Sequence, residues 1–423
     1  MTTVDERDAF RTLWEQLLPI GAAPDGGYLR HGYTDAELAC RSWFTDQAKS
    51  RGMAVETDGN GNLWAWWGDP DAGDALVTGS HLDSVPQGGA YDGPLGVVSA
   101  FLAVDALRAA RITPSRPIGV VAFCEEEGSR FGVACLGSRL LTGALPVERG
   151  AALTDPAGTT LVDAMAAAGA DTSRLGPDPA RLSRIGHYVE LHIEQGKGLV
   201  DTGAPVGVGT GIWPHGRWRF DFTGTADHAG TTAMADRHDP MLSYAMTALA
   251  ANKQARLHDA RATFGRIAVR PNGTNAIPSA VTGWLDARAA DATTLESMLI
   301  ELERQARDRV GRDGTALTVT AESVTPPIRF DDALARRLST SLGAAGIAGS
   351  GAAGSAQGGT GPLPLLATGA GHDAGILSDA GVPTAMLFVR NPTGVSHSPA
   401  EATDDVDCLA GVRALTAALR ELA

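Results

Sequence analysis

The chain has 423 residues, 43% of them hydrophobic and 20% charged, with a formal net charge of −14 at pH 7. That length allows two or three domains with a large buried core, and the composition is ordinary for a globular protein. The negative charge argues against nucleic acid or an anionic membrane as a partner. The opening Met1-Thr-Thr-Val-Asp-Glu-Arg-Asp is too polar for a signal peptide, and no apolar run approaches a membrane span, so a cytoplasmic protein is expected. Cys40, Cys124, Cys135 and Cys408 lack CxxC spacing and are expected to be reduced, buried small hydrophobes.

Taken in order, residues 7–18 and 36–51 have helical apolar spacing, with Thr34 as N-cap of the second and Glu37 three residues on. Two strands, 54–58 and 62–67, flank an Asp-Gly-Asn-Gly turn. The apolar run Ala75-Leu76-Val77 then leads into Gly79-Ser80-His81-Leu82-Asp83-Ser84-Val85-Pro86, which puts His81 and Asp83 on one side of a strand mouth. A Gly-rich turn brings Asp92 back toward His81. After a helix over 96–110, the buried strand 118–124 runs into Glu125-Glu126-Glu127-Gly128, again a strand ending in acidic residues and glycine where open α/β sheets build their sites. Residues 151–180 read as a surface helix with loops. In Tyr188-Val-Glu190-Leu-His192-Ile-Glu194-Gln195-Gly196 the polar residues Glu190, His192 and Glu194 share one strand face, which points to a cleft.

From 209 to 327 the order changes to strand (216–223), helix (235–257), strand (263–270), strand (281–288), helix (293–310) and strand (317–323). This βαββαβ order predicts a ferredoxin-like sandwich inserted into an α/β domain made of residues 1–208 and 328–423, whose mixed, mostly parallel sheet is flanked by helices. A Gly/Ala/Ser-rich loop at 343–361 precedes Gly371-His372-Asp373, a buried strand 384–389, Ser396-His397-Ser398-Pro399 and a last helix over 406–422.

His81, Asp92, Glu127, His192 and His397 together supply what two divalent ions of the Zn, Mn or Co type, about 3.5 Å apart, require: a bridging carboxylate, for which Asp92 is best placed, and terminal His and carboxylate ligands. Asp83 is suited to accept the second ring N–H of His81, and Glu126 to take a proton from an activated water and pass it to a leaving nitrogen. The expected chemistry is hydrolysis of a C–N bond.

These motifs, with His228-Ala-Gly-Thr-Thr and Glu125-Glu126-Glu127-Gly-Ser-Arg130-Phe, resemble the amidase, hydantoinase and carbamoylase branch of the dinuclear metal aminoacylase and carboxypeptidase superfamily, in order and over nearly the whole chain. The resemblance implies five metal ligands (His81, Asp92, Glu127, His192, His397), Glu126 as general base, and substrate roles for Gln195, His228, Asn275 and Arg288. It also implies that the inserted domain closes as a lid and forms a homodimer, and that the substrate is a small N-carbamoyl (ureido) acid such as allantoate or an N-carbamoyl-L-amino acid. Arg288 suits a carboxylate fork, Asn275 a donor to the same group, and His228 the scissile carbonyl and its oxyanion. The plainer alternatives are a surface ion pair, a turn-stabilising side chain and a helix-entry residue.

The chain departs from the family pattern at Trp213-Pro214-His215-Gly216-Arg217 and at Val389-Arg390-Asn391-Pro392-Thr393, so that His215, Arg217, Arg390 and Asn391 either alter the pocket or are silent scaffold changes. The competing functions are the same chemistry on an N-formyl or other N-acyl amino acid, a peptidase, and a non-catalytic small-molecule binding protein.

Overall fold

The structure, a computed structural model, describes residues 3–347 and 361–423; most of the expected Gly/Ala/Ser-rich loop lies outside the described residues. The chain divides into two compact units, one made of Met1–Gly211 with Arg329–Ala423 and the other of Ile212–Ile328.

In the first unit the strands are β1 (Ala54–Thr57), β2 (Leu63–Trp67), β3 (Ala75–His81), β4 (Ile118–Phe123), β5 (Ile185–Ile193) and β6 (Val206–Ile212). The second unit contributes β7 (His215–Thr223), β8 (Asp227–His228), β9 (Arg261–Arg270), β10 (Ala276–Ile277), β11 (Ala280–Arg288) and β12 (Ala316–Thr325), and the first resumes with β13 (Ile328–Arg329), β14 (Leu365–Thr368) and β15 (Thr384–Val389). Among the described residues nine strands form the main sheet in the order β1-β2-β4-β3-β5-β15-β6-β13, with β14 also on β6. The central four, β4, β3, β5 and β15, are mutually parallel, whereas β1 pairs antiparallel with β2, β2 with β4 and β6 with β15.

A parallel strand covered on both faces must be apolar without interruption. Every residue of β3, β4 and β15 is buried accordingly. The helix Pro94–Ala109, most of whose residues are buried, packs against β3 and β5 and against the final helix Asp405–Leu422. Phe101, Leu76, Val189, Leu387 and Leu415 belong to this core, each worth about 1.5–3 kcal/mol of transfer free energy. The polar ends of β3, β4 and β5 therefore stand on a rigid support.

In the second unit a four-stranded antiparallel sheet, order β12-β7-β11-β9, carries the helices Pro240–Leu257 and Ala292–Asp313. Alternation along β11 sends Val281, Leu285 and Ala287 into a core with Phe220, Phe222, Met298 and Leu302, and leaves Trp284, Asp286 and Arg288 on the other face.

Two local expectations are corrected. Thr34 is the N-cap of the helix Asp35–Ser50 but makes no side-chain cap; its hydroxyl donates to the His31 carbonyl, and Glu37 accepts the Tyr33 amide instead. Glu194 lies just past the end of β5, and its carboxylate accepts the Gly198 and Leu199 amides at 2.6 and 3.0 Å, so it caps the next helix instead of facing a cleft.

The turn before β2 reaches as far as the acidic strand end. Buried Asp58 accepts hydrogen bonds from the Asn60 and Asn62 amides, the Asn62 side chain and the Trp64 indole at 2.9–3.0 Å, and Asn62 Oδ1 in turn accepts the Cys124 amide at 3.0 Å. Asp58→Ala would strand four buried donors, and we expect a loss of about 3 kcal/mol, read as a lower urea midpoint by tryptophan fluorescence; an unchanged midpoint would remove Asp58 from this role.

Candidate metal centre

His81 is the last residue of β3 and His192 the last but one of β5, so the two rings meet at the carboxyl edge of the parallel strands with centroids 5.9 Å apart. In each ring Nδ1 donates to a backbone carbonyl, His81 to Asp83 at 3.1 Å and His192 to Ile193 at 2.9 Å. That fixes the tautomer and leaves the lone pair on Nε2. Both Nε2 atoms face one oxygen of Asp92, at 3.6 and 3.1 Å. Asp92 reaches this position because the next residue is Gly93, with φ +86°; a Cβ there would lie 2.5 Å from the His81 ring.

The other Asp92 oxygen lies 3.5 Å from His397 Nε2, which is 3.4 Å from Glu127 Oε2. Asp92 thus belongs to two groups, His81/Asp92/His192 and Asp92/Glu127/His397, each with donor atoms close enough to share an ion. His81 Nε2, His192 Nε2 and Glu127 Oε1 are buried without a hydrogen-bond partner. Buried polar atoms in that state are costly unless a ligand satisfies them. Imidazole and carboxylate donors of this kind fit Zn, Mn or Co.

The three consecutive acids behind β4 are divided in their work. Glu125, fully buried with φ +52°, accepts the amides of Gly32, Arg130 and Phe131 at 2.7–3.0 Å and holds the turn. Glu126 and Glu127 face the centre. Glu126 Oε2 lies 3.8 Å from His81 Nε2, while its Oε1 accepts the Cys135 thiol at 3.3 Å. The expected partnership of Asp83 with His81 is revised: the Asp83 carbonyl takes the ring N–H, with Oδ1 at 3.5 Å, and the carboxylate accepts the Glu126 and Glu127 amides at 3.1 and 3.0 Å.

Burial pushes the Glu126 carboxyl well above its usual range, with Asp373 and Glu127 adding and His81 opposing. Glu127 is pushed up to about 9, by burial first and Asp92 next. For Asp92 burial acts upward too, but His192 and His81 more than reverse it and hold the carboxyl well below its ordinary value. Glu126, Asp83 and Asp92 likewise overcome burial and hold His81 well above its ordinary value. Protons here supply positive charge that divalent cations would replace.

Gln195, expected to bind substrate, donates through Nε2 to Asp92 Oδ2 at 2.9 Å and to Ser396 Oγ at 3.0 Å. The remaining substrate candidates belong to the second unit and gather at two places. His228 on β8 is the register partner of Ala276 on β10, beside Asn275, and its Nδ1 accepts the Gly230 amide at 3.0 Å. His215 and Arg288 are cross-strand partners, as are Arg217 and Asp286. Arg288 makes a two-point contact with Asp286 at 2.8 and 3.1 Å, and Arg217 Nε lies 3.8 Å from the same carboxylate. His215 Nδ1 donates to the Trp213 carbonyl at 2.9 Å. Arg390 and Asn391 are scaffold: Arg390 forks onto buried Asp407 at 2.8 and 2.9 Å, and Asn391 ties its own loop together through Thr393, Gly394 and Val395.

A sequence model of the peptidase family M20/M25/M40 matches residues 77–421. The chain belongs to this family. It is 35% identical over 419 residues to an N-carbamoyl-L-amino acid amidohydrolase of Geobacillus stearothermophilus, covering 97% of this chain and 98% of that one. It is 31% identical to an allantoate amidohydrolase of Escherichia coli, with 98% of each chain covered. The crystal structure of a hydantoinase/carbamoylase family amidase from Burkholderia vietnamiensis superposes with a TM-score of 0.84 at 31% identity, over 98% of this chain and 97% of that one. The protein is therefore a metal-dependent hydrolase of the family's hydantoinase/carbamoylase amidase branch.

Three residues near the centre of this family member were given no role by sequence reasoning. Glu190 forms a third donor group with His192 and His372. Its oxygens are already engaged by the Ser80 hydroxyl (2.8 Å), the Tyr188 hydroxyl (3.3 Å) and the Ala374 amide (3.1 Å). His372 stacks obliquely on His192 at 4.4 Å, and burial drives it toward the neutral form. Glu401 is the third: it accepts the Tyr91 and Asp92 amides. The alternation of β5 pointed to Glu190; nothing local marked Glu401.

Replacing Asp83 by Asn would set a donor against the Glu126 or Glu127 amide. Because partners behind a metal ligand typically carry 10–100-fold in affinity, Asp83→Asn should weaken manganese uptake by about that factor in calorimetric titration of the stripped protein. Wild-type affinity would show that Asp83 leaves the acidic turn unaffected.

Proposed function

We propose that the protein is a dinuclear metal-dependent amidohydrolase that cleaves a non-peptide C–N bond of an N-carbamoyl (ureido) acid, such as allantoate or an N-carbamoyl-L-amino acid, and releases ammonia and carbon dioxide. The observation that carries this reading is the single carboxylate of Asp92 facing His81 and His192 with one oxygen and His397 with the other. The names of the curated relatives, an N-carbamoyl-L-amino acid amidohydrolase and an allantoate amidohydrolase, support the substrate class.

In this reading His81, His192 and Asp92 would hold one ion of Zn, Mn or Co, and Asp92, Glu127 and His397 the other. Such ions supply Lewis acidity toward a carbonyl oxygen and lower the pKa of a water. Glu126 would take the proton of the attacking water and return it to the leaving nitrogen. Cys135 holds one oxygen of Glu126 and leaves the other toward His81. Asp83 fixes the backbone of both glutamates.

The second unit supplies the substrate grip. Its strand order and two helices support a ferredoxin-like sandwich, which would serve as a lid and as the interface of a homodimer. Arg288, presented by its fork with Asp286, meets the substrate carboxylate, with His215 and Arg217 beside it and Asn275 donating to the same group. Because the Gly230 amide occupies Nδ1 of His228, Nε2 carries the proton and stabilises the oxyanion. Gln195 orients Asp92 and borders the substrate site. No helix among the described residues is long and apolar enough to cross a membrane, in keeping with a cytoplasmic enzyme.

The deciding experiment loads purified protein separately with manganese, zinc and cobalt. It then follows ammonia from allantoate, N-carbamoyl-β-alanine and N-carbamoyl-L-amino acids, and free amine or acid from N-formyl and N-acyl amino acids. Metal-dependent turnover of one ureido acid above all others is expected; activity confined to N-formyl or N-acyl substrates would overturn the ureido assignment, and none anywhere would favour a binding protein. Glu126→Gln should keep both metals and lose roughly 100- to 10,000-fold in kcat, an assignment that stoichiometric metal loss would reverse. Arg288→Ala should raise KM by about 10- to 100-fold, the weight of hydrogen bonds to a charged group, with little change in kcat; unchanged kinetics would free Arg288 from substrate.

A further inference from the structure

We propose that Glu401 is a positioning residue that locks the Asp92 turn to the His397 loop and thereby sets the spacing of the two donor groups; this rests on the dinuclear reading above. One oxygen of its carboxylate accepts the Tyr91 and Asp92 amides at 3.0 and 3.1 Å, across 310 and 309 residues of sequence. The other accepts the hydroxyl of Ser396, the residue before His397, at 3.1 Å. Ser396 Oγ also lies 3.3 Å from Asp92 Oδ2 and accepts from Gln195, closing a ring of contacts around the shared carboxylate.

The fit is tight. Glu401 is only 6% exposed, and a Cβ on Gly89 would lie 2.2 Å from its Oε1, so the loop before Asp92 wraps closely around this carboxylate. His81 and His192 are held by their own strands, whereas Asp92 and His397 sit on turns, and His397 has the left-handed φ of +53°. Those turns need an external brace, and a buried carboxyl group that accepts two amides from one turn and a hydroxyl from the other ties them to a single side chain. Glu401 needs no contact with substrate; it acts through Asp92 and His397.

The test uses the full chain stripped of metal and titrated with manganese by calorimetry, alongside its circular dichroism melt and its kinetics. Glu401→Ala should weaken the second cation to bind by about 10- to 100-fold, the usual effect of removing a partner behind a ligand, and lower kcat with KM within about threefold of wild type. Glu401→Gln keeps an oxygen for the two amides and should recover most of that affinity. Two cations bound by Glu401→Ala with wild-type affinity, or equal impairment of the Ala and Gln variants, would overturn the proposal. If Glu401→Ala fails to fold, Ser396→Ala decides: weakened uptake of the second cation supports the brace, and wild-type uptake overturns it. Cation uptake is read independently of substrate, so a wild-type protein that binds two cations yet hydrolyses no ureido acid ends the functional reading and leaves Glu401 to be judged by its own variants. A wild-type protein that binds none overturns both.

Discussion

The position of Asp92 is the constraint on which the centre depends. Its carboxylate lies within 3.1–3.6 Å of three imidazole nitrogens, from β3, from β5 and from the loop before the last helix. At such distances a unit charge pair is worth about 5 kcal/mol even at an effective dielectric of 20, so the protonation of His81, His192 and Glu127 responds to this one group. The fold tolerates the crowding by giving the supporting carboxylates backbone amides to hold: Glu125 takes three, Asp83 two and Glu401 two. Glu127 is left facing the centre with one oxygen unpartnered. The acids that accept two or more backbone amides build the frame around those that face the centre.

The second unit solves a different problem with the simplest rule of a β-strand. Period-two alternation along β11 buries Val281, Leu285 and Ala287 under two helices and by the same geometry lines up Asp286 and Arg288 on the opposite face. Their two-residue separation permits the two-point contact, and antiparallel register with β7 sets Arg217 and His215 beside them. A one-residue slip would exchange core and charge, so packing of the hydrophobic face determines where the guanidinium group sits.

Much of this was legible in the sequence because the information is local. Buried parallel strands are continuous apolar runs, so the places where polarity breaks in, at His81, at Glu125 and beyond Val389, mark the strand mouths directly. The order of strands and helices in the inserted segment was visible for the same reason. Reading failed where a nearby backbone group claimed the side chain first. Glu194 keeps the alternation of β5 for one step after the strand has ended and then turns to cap a helix. Thr34 had the sequence of a capping box, yet the His31 carbonyl offered its hydroxyl a closer partner. Arg390 and Asn391 were open between pocket and scaffold, and the fork onto Asp407 and the loop's own hydrogen bonds favour scaffold. No periodicity predicts a partner that folding alone brings near.

The two donor groups also differ in a way that bears on how such a centre works. His81 and His192 are buried on neighbouring strands, their rings fixed by adjacent carbonyls. His397 lies on a turn with a half-exposed side chain. A site built on strands is preorganised and changes little on binding, whereas one completed by a loop adjusts at small cost. The shared Asp92 couples them, because any shift of the loop moves an oxygen that also faces the strand pair. Burial of the strand pair and solvent access to the His397 ring thus set the two donor groups apart although they share one carboxylate.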